Sequence, residues 1–570
     1  MNSKHGPPLV WTILALVSIA VAGAGCGPQA ATTAPTAATS VPGAATSVPA
    51  GVPAPDTLVV VTAALPPTAD PDVWSGLGWE RVLANVYDPL FHYKLRTPEE
   101  LGLTVTGIDA LSDLRSPMDE AVNGVFFNKW EISPDNKTFT LHVDPNLKSA
   151  RGNPATADAF VWREQRGYAI PSSIQSFLVG VMGSRDVSDI TKIDDMTIQI
   201  YAPNGSGAIL FKVLTLIENM ALDVKALKDD GCLTEEDPWG MKCLDHKSYG
   251  FGPYNITEFT PGNQILMEAN PYYPRPLQFK NIVYREIPES GNRLAMLIAG
   301  QAHLSSEQTL VEVKSVTGGN GEATYAGMNV GSKWLAVLMT RSDPAWTNDD
   351  CVRGMGYAIP YAEIQEVAFE GTGTTAHEDV CPLYGENVNS EAWPYSLDTA
   401  KASELWKAGG CPAQFTLSWD SSISEMQDVG TMIKSQFAKF GVDAVLNPLP
   451  SGTYAQMENR FTLGAFLEEQ SAFVPDVGYA VWLAYHKTSI GNFNRFMDDE
   501  VTAKIDQAML LTDGPERKRL LFEVQQAVVD RGGRQVILWT PYTIVANKHL
   551  AGLTWYPDSL PRYRDLKWVP

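Results

Sequence analysis

Trp130-Glu131-Ile132-Ser133-Pro134-Asp135-Asn136-Lys137-Thr138-Phe139-Thr140-Leu141 is the stretch from which the rest of the chain is best read. Its second half runs into a clean alternation. Phe139, Leu141 and Val143 fall on one side, and Thr138, Thr140 and His142 on the other. A period of two marks a strand with one face in a core and one in water. Met196, Ile198 and Ile200 alternate with Thr197, Gln199 and Tyr201 in the same way. Upstream, Thr57 to Ala63 (TLVVVTA) is β-branched and apolar, as a buried strand would be. The C-terminal half adds helical periods. Ser422 to Phe440 sets Met426, Val429, Ile433, Phe437 and Phe440 on one face, with Gly441 as a left-handed C-cap. Asp398 caps a helix through Thr399–Ala408 that stops at Gly409-Gly410. Asp499 to Leu511 carries Val501, Ile505, Ala508 and Met509, and Pro515 opens a last helix that ends at Gly532. Strand-like runs at Phe415–Trp419 and Gln535–Trp539 are interleaved with these helices, which predicts an α/β layer architecture. The apolar stripes are core.

The chain is 570 residues long, 44% hydrophobic and 19% charged, enough for two to four globular units. Its formal net charge of -22 excludes nucleic-acid binding, which needs a cationic surface. The same balance disfavours adhesion to anionic lipid through basic residues.

The N-terminus reads as an export signal. Lys4 and His5 precede an apolar run from Leu9 to Ala22, too short to span a bilayer, and Gly23, Ala24 and Gly25 lead to Cys26. Small residues before a cysteine resemble the bacterial lipobox, in which the cysteine is lipidated and the chain is cut just before it. Gly23 stands where that pattern has a branched apolar residue. An ordinary secretory signal cut near Ala24 is the alternative. The lipoprotein reading, with residues 1–25 removed, is preferred because residues 26–56 read as a tether. Ala, Thr, Pro, Ser and Gly dominate there, and Gly27 to Pro55 carries no charge. Such a segment has too little apolar surface to offset its ordering entropy. No other stretch is long and apolar enough to cross a bilayer, so any transport channel must be another polypeptide.

Besides Cys26, the chain has Cys232, Cys243, Cys351, Cys381 and Cys411. Cys232 and Cys243 bracket a polar loop and are expected to pair. Cys381 is expected to pair with Cys411 or Cys351, one thiol staying free. There is no CxxC and no histidine pair at ligand spacing, so neither metal nor cofactor is expected.

The opening stretch resembles the W-x-x-S-x-D-x-x-T-(Y/F)-T-F/L signature of family 5 extracellular solute-binding proteins, the oligopeptide, dipeptide and nickel type. Other pieces follow in the family's order. Val82 to Phe91 is similar to its "iyd-pL" segment, and Gly152 to Phe160 to its G-x-P-x-T-A-x-D piece. Tyr249 to Tyr254 is similar to its G-T-G-P-Y turn, and Asp350 to Ile359 to its "D-x-R-V-R-Q-A" helix. Tyr395 to Gly410 is similar to its "A-K-x-L-L-x-x-A-G" helix. His303 departs from the family's G-x-x-D. The resemblance covers about Thr57 to Pro570. It implies an α/β bilobal periplasmic-binding-protein (Venus-flytrap) fold with an extra inserted subdomain. Lobe I would comprise 57–96, 180–327 and 535–570, the insertion 97–179 and lobe II 328–534.

The resemblance also implies the task. An extracytoplasmic, lipid-anchored monomer would trap a peptide or peptide-like solute between lobes and pass it to the permease and ATPase subunits of an ABC importer. Peptide-binding relatives carry an aromatic residue and, three positions on, an Asp for the peptide amino group. Counting back from Pro475, those positions hold Glu468 and Ser471, so Glu468 or Glu469 would have to meet a cationic group. Trp74, Tyr357 and Trp419 are candidate aromatic contacts, with Trp79, Trp334 and Trp482 as further ones. Asp476 is expected to cap a loop. Two other classes compete: a secreted hydrolase, for which no GxSxG or HExxH occurs, and a ligand-sensing receptor on the same fold. An ATP-using subunit is excluded by the absence of GxxxxGK[ST].

Overall fold

The computed structural model describes residues 56–73, 77–116, 118–170, 187–203, 207–217, 219–423, 425–471, 474–489 and 491–569. The signal segment, Cys26, nearly all of the tether and Trp74 lie outside the described residues.

Thr57–Thr62 forms the strand its composition predicts. Leu58 and Val60 enter one core while Val59 and Val61 enter another, so both faces are buried and the sequence needs no polar alternation. The strand pairs in parallel with Asn281–Glu286 on one side and Leu304–Ser305 on the other. It lies inside an eight-stranded sheet that runs Tyr254–Thr260, Gln264–Ala269, Asn281–Glu286, Thr57–Thr62, Leu304–Ser305, Tyr542–Asn547, Ala323–Met328 and Val105–Thr106.

The second sheet has six strands, in the order Thr374–Thr375, Gln535–Trp539, Lys333–Met339, Ala465–Ser471, Gln414–Asp420 and Asp443–Leu449. Its central strand alternates strictly. Trp334, Ala336 and Leu338 join the core under the helices Val477–Tyr485, Asp499–Met509 and Pro515–Asp530. Leu335, Val337 and Met339 join the core under Asp349–Ala358, Thr399–Ala408 and Met426–Ala438. Period two thus lets one strand serve two layers of helices.

The opening stretch lies in a third, four-stranded antiparallel sheet: Phe127–Ile132, Thr138–Val143, Thr197–Tyr201 and Ile190–Asp194. Its hairpin explains the spacing of the signature. Ser133 Oγ accepts from Thr138 N at 2.9 Å, and Asp135 Oδ1 accepts from Lys137 N at 3.2 Å. Asn136 takes a left-handed backbone with φ 58°, which Asn tolerates better than most residues.

Three boundaries move. Gln535–Trp539 pairs with the second sheet through Lys333–Met339 and Thr374–Thr375, so it does not return with the C-terminal segment to the first. The third sheet extends to Tyr201, past the boundary expected at 179, because Thr197–Tyr201 is the natural partner of Thr138–Val143. Val105–Thr106, expected in the insertion, edges the first sheet. The chain crosses between the two large sheets at Asn329–Ser332 and at Thr540-Pro541. These crossings lie side by side, with Gly331 N donating to Thr540 O at 2.8 Å and Thr540 N to Lys333 O at 3.0 Å.

Disulfides join Cys232 to Cys243 and Cys351 to Cys411. The pairing of Cys381 with either neighbour is corrected: its thiol is free and buried, 3.6 Å from Gly331 O beside the first crossing. Packing of Asp349–Ala358 against Thr399–Ala408 instead brings Cys351 to Cys411, just past the end of the second helix.

Candidate functional site

The two crossings form the floor of a crevice of about 220 Å³ between the sheets. Gly331, Ser332, Thr540 and Pro541 lie at its base. Ser332 Oγ donates to Pro557 O at 2.6 Å and ties the base to the C-terminal segment. Arg81, Gln308 and Asp558 come from the side of the first sheet, and Lys333, Phe369, Glu425 and Glu469 from the side of the second.

Arg81 is set by its own sequence context. It lies on the helix Leu77–Val86, and its guanidinium bonds Glu307. Glu307 also accepts from Thr62 Oγ1 and Ala63 N, both at 2.6 Å. Burial pushes the Glu307 pKa up, but the Arg81 charge and these donors outweigh it and hold the carboxyl below its usual range. Arg81 is thereby locked at the crevice wall as a cation. Its Nε, like the Tyr542 hydroxyl on the same wall, is buried with no hydrogen-bond partner among the described residues.

Opposite stand Lys333 and Glu469, with Nζ and Oε1 3.6 Å apart. Lys333 pairs in register with Ser471, and Leu335 with Glu469, so Lys333, Glu469 and Ser471 share one face of the second sheet. Glu469 lines the crevice; Ser471 follows at the strand's end, half-buried. Glu468 points to the other face. It accepts from the Tyr454 hydroxyl at 2.5 Å and adjoins Glu458. Burial first, and the Glu458 charge second, raise its pKa well above the usual carboxylate value. Glu468 is therefore part of a proton-sharing carboxyl pair outside the crevice, so its candidacy as a crevice contact is corrected.

The aromatic expectations need the same correction. Trp419 is 1% exposed in the second sheet's helix-covered core, where its ring packs on Gly430; a Cβ there would sit 3.1 Å from the ring. Tyr357 is 4% exposed in that core, edge-on to Tyr395, with its hydroxyl accepting from Lys401 Nζ at 2.8 Å. Trp79 is buried with its indole N–H on Asp70 O, and Trp334 lies against the Arg534 guanidinium. None of these residues lines the crevice. Phe369 is the aromatic side chain that does so from the second sheet's side.

Asp476 caps the helix Val477–Tyr485 by accepting from Tyr479 N at 3.0 Å. It also receives Lys212 Nζ at 2.7 Å and Arg517 Nη2 at 2.6 Å. Elsewhere on the surface, Lys314 meets Glu370 at 3.1 Å. This pair is exposed and contributes little to stability by itself.

Residues 121–492 match the family described as bacterial extracellular solute-binding proteins, family 5 middle. The chain belongs to that family. The family 5 chain is also similar to two curated proteins. One is the "Probable D,D-dipeptide-binding periplasmic protein DdpA" of Escherichia coli, 23% identical over 526 residues, covering 88% of this chain and 92% of that protein. The other is heme-binding protein A of Haemophilus influenzae, 23% identical over 432 residues, covering 70% of this chain and 75% of that one. Among solved structures it resembles the ABC transporter-associated periplasmic binding protein DppA from Helicobacter pylori in complex with peptide STSA. The TM-score is 0.71 at 19% identity, over 90% of this chain and 98% of that one. The fold of this family 5 protein is accordingly the bilobal periplasmic-binding-protein fold. Family 5 places it outside the cytoplasm as a solute-binding protein. Among the described residues no group of His, Cys, Asp or Glu could hold a metal, and no helix is long and apolar enough to cross a membrane.

Proposed function

We propose that this family 5 protein captures a short peptide or peptide-like solute in the crevice at the two crossings and hands it to the permease of an ABC importer. The observation that carries the reading is the pairing of opposite charges around unmet donors. Arg81 and Lys333 supply cations, Glu469 and Asp558 carboxylates, and Arg81 Nε and the Tyr542 hydroxyl lack partners among the described residues. A zwitterion with amide groups complements such a wall. The volume of about 220 Å³ lies below the roughly 300 Å³ at which drug-sized pockets begin, which favours a solute of two or three residues. The relatives named for dipeptide and for peptide support the class. The heme-binding relative suggests another solute, but no histidine lines the crevice and its lining is strongly charged, which favours the peptide.

In this reading Glu469 meets the solute's cationic end in place of the absent Asp, and Arg81 meets its carboxylate. Ser471 extends the face that Glu469 occupies, and Trp74 remains an aromatic candidate from the sequence. The lobes divide at Met328 and at Thr540. Lipidated Cys26 and the tether through residue 56 hold the folded part near the membrane. A thermal-shift panel of di- and tripeptides, sugars and heme tests the solute class. Stabilisation by peptides alone is expected; a shift with sugars or heme and none with peptides would contradict it.

A further inference from the structure

The helix Gly207–Leu214 is apolar but for one residue. Ile209, Leu210, Phe211, Val213 and Leu214 are buried, and Lys212 is the single charge among them. A lysine in such company is costly unless a carboxylate answers it. The carboxylate is Asp476, 264 residues further on, 2.7 Å from Lys212 Nζ.

The two residues stand on different halves of the molecule. Phe211 packs on Phe91 and on Trp130, which ties the lysine's helix to the third sheet. Asp476 follows the strand Ala465–Ser471 of the second sheet. Among the described residues, every strand of the second sheet comes from Lys333 to Trp539, and none of the first or third does. The halves are therefore joined covalently only through the crossings at Asn329–Ser332 and Thr540-Pro541, and neither disulfide bridges them.

Each partner is also held by its own half. Thr215 Oγ1 donates to Lys212 O at 2.7 Å. Asp476 accepts from Tyr479 N at 3.0 Å and from Arg517 Nη2 at 2.6 Å, and Arg517 Nη1 donates to Asp513 at 2.8 Å. One guanidinium between two carboxylates leaves that group with one negative charge, and the Lys212 ammonium brings it to zero. Asp476 and Arg517 are each 1% exposed, and Lys212 is 8% exposed. If the halves part, Lys212 regains water while Asp476 keeps Arg517 and its helix cap. This pair can break and re-form without stranding a bare buried charge, unlike an isolated buried pair. It also lies next to the crevice: Thr215 and Pro475 line a small cavity that shares Asp558 with it.

We infer that Lys212 and Asp476 form a reversible latch between the two halves, made when the crevice closes and parted when it opens, with Arg517 holding Asp476 in both states. The inference rests on the division of the lobes proposed above. The latch biases a two-state closure, and the solute-free protein populates the latched form.

The tests use no solute, so a failure of the peptide reading is distinguishable from a failure of the latch. Acetylation of the purified full chain with acetic anhydride, read by mass spectrometry, follows the exposure of Lys212. Lys212 should react in the folded protein at a rate that low urea leaves unchanged, as a parting of intact halves requires. A rate that rises with urea in step with global unfolding would overturn the latch. Lys212→Met removes the charge and keeps an unbranched stem. Its radius of gyration in small-angle X-ray scattering should exceed that of the unsubstituted protein, and Lys212→Arg should restore the smaller value. Lys212→Gln takes the place of Lys212→Met if the methionine variant does not fold. An unchanged radius of gyration with only a lower unfolding midpoint would make the pair purely structural and overturn the inference.

Discussion

Lys212 Nζ lies 2.7 Å from Asp476 Oδ2, and this buried pair joins the helix Gly207–Leu214 to the N-terminus of the helix Val477–Tyr485. Arg517 completes the site at 2.6 Å, so one carboxylate answers two cations and caps a helix. Breaking such a buried pair leaves charges without partners and costs about 3–5 kcal/mol. Asp476→Asn is expected to lower unfolding free energy by that order in urea titrations. Burial pushes the Asp476 pKa up, but Arg517 and Lys212 outweigh it and hold it below its ordinary 3.8. The stabilisation is therefore complete above about pH 4 and lost as pH falls through the folded pKa. Asp476→Asn should flatten stability in that acidic window.

The Glu458–Glu468 pair has the opposite sign. Both pKa values are raised from 4.5, chiefly by burial, so the folded state binds protons more tightly than the unfolded chain. Stability should fall as pH rises above 4.5, by up to about 1.4 kcal/mol per pH unit for each proton involved. Glu468→Gln is expected to remove much of that slope and to stabilise the protein near neutrality. An unchanged slope in pH-dependent unfolding would contradict the shared-proton geometry.

His303 gives a third pH signature. It is 1% exposed, accepts from Val59 N at 3.2 Å through Nδ1, and burial lowers its pKa from 6.5 to about 4. Its contribution is present above pH 6.5 and is lost as pH falls toward 4. His303→Phe should abolish that part of the profile in thermal unfolding between those values.

The two disulfides close loops of different length. Sequence separations of 60 for Cys351–Cys411 and 11 for Cys232–Cys243 imply about 4 and about 3 kcal/mol from loop-closure entropy. Replacing both cysteines of the longer loop by alanine should destabilise more than the same change in the shorter one. Paired denaturant titrations check the order.

Local periodicity made much of this legible. Thr138–Val143, the Asp398 cap and the helix opened by Pro515 follow from residues within a turn or two of each other. The crossings did not, because a change of sheet at Asn329–Ser332 or Thr540-Pro541 leaves no repeat in the chain. Arg81 was missed for the same reason: its partner Glu307 is 226 residues away. Trp419 was legible and misread. Phe415, Leu417 and Trp419 share the buried face of one strand, a core signal that an inventory of tryptophans overlooks. Counting back from Pro475 reaches the strand Ala465–Ser471, and only the pleat separates Glu469 in the crevice from Glu468 behind it.

The most direct measurement is a crystal structure of the protein carrying the solute it retains through purification. An intact peptide-like molecule is expected at the crossings, its carboxylate on Arg81 and its cationic end on Glu469. A solute seated elsewhere, or a chemically altered product in the crevice, would contradict it.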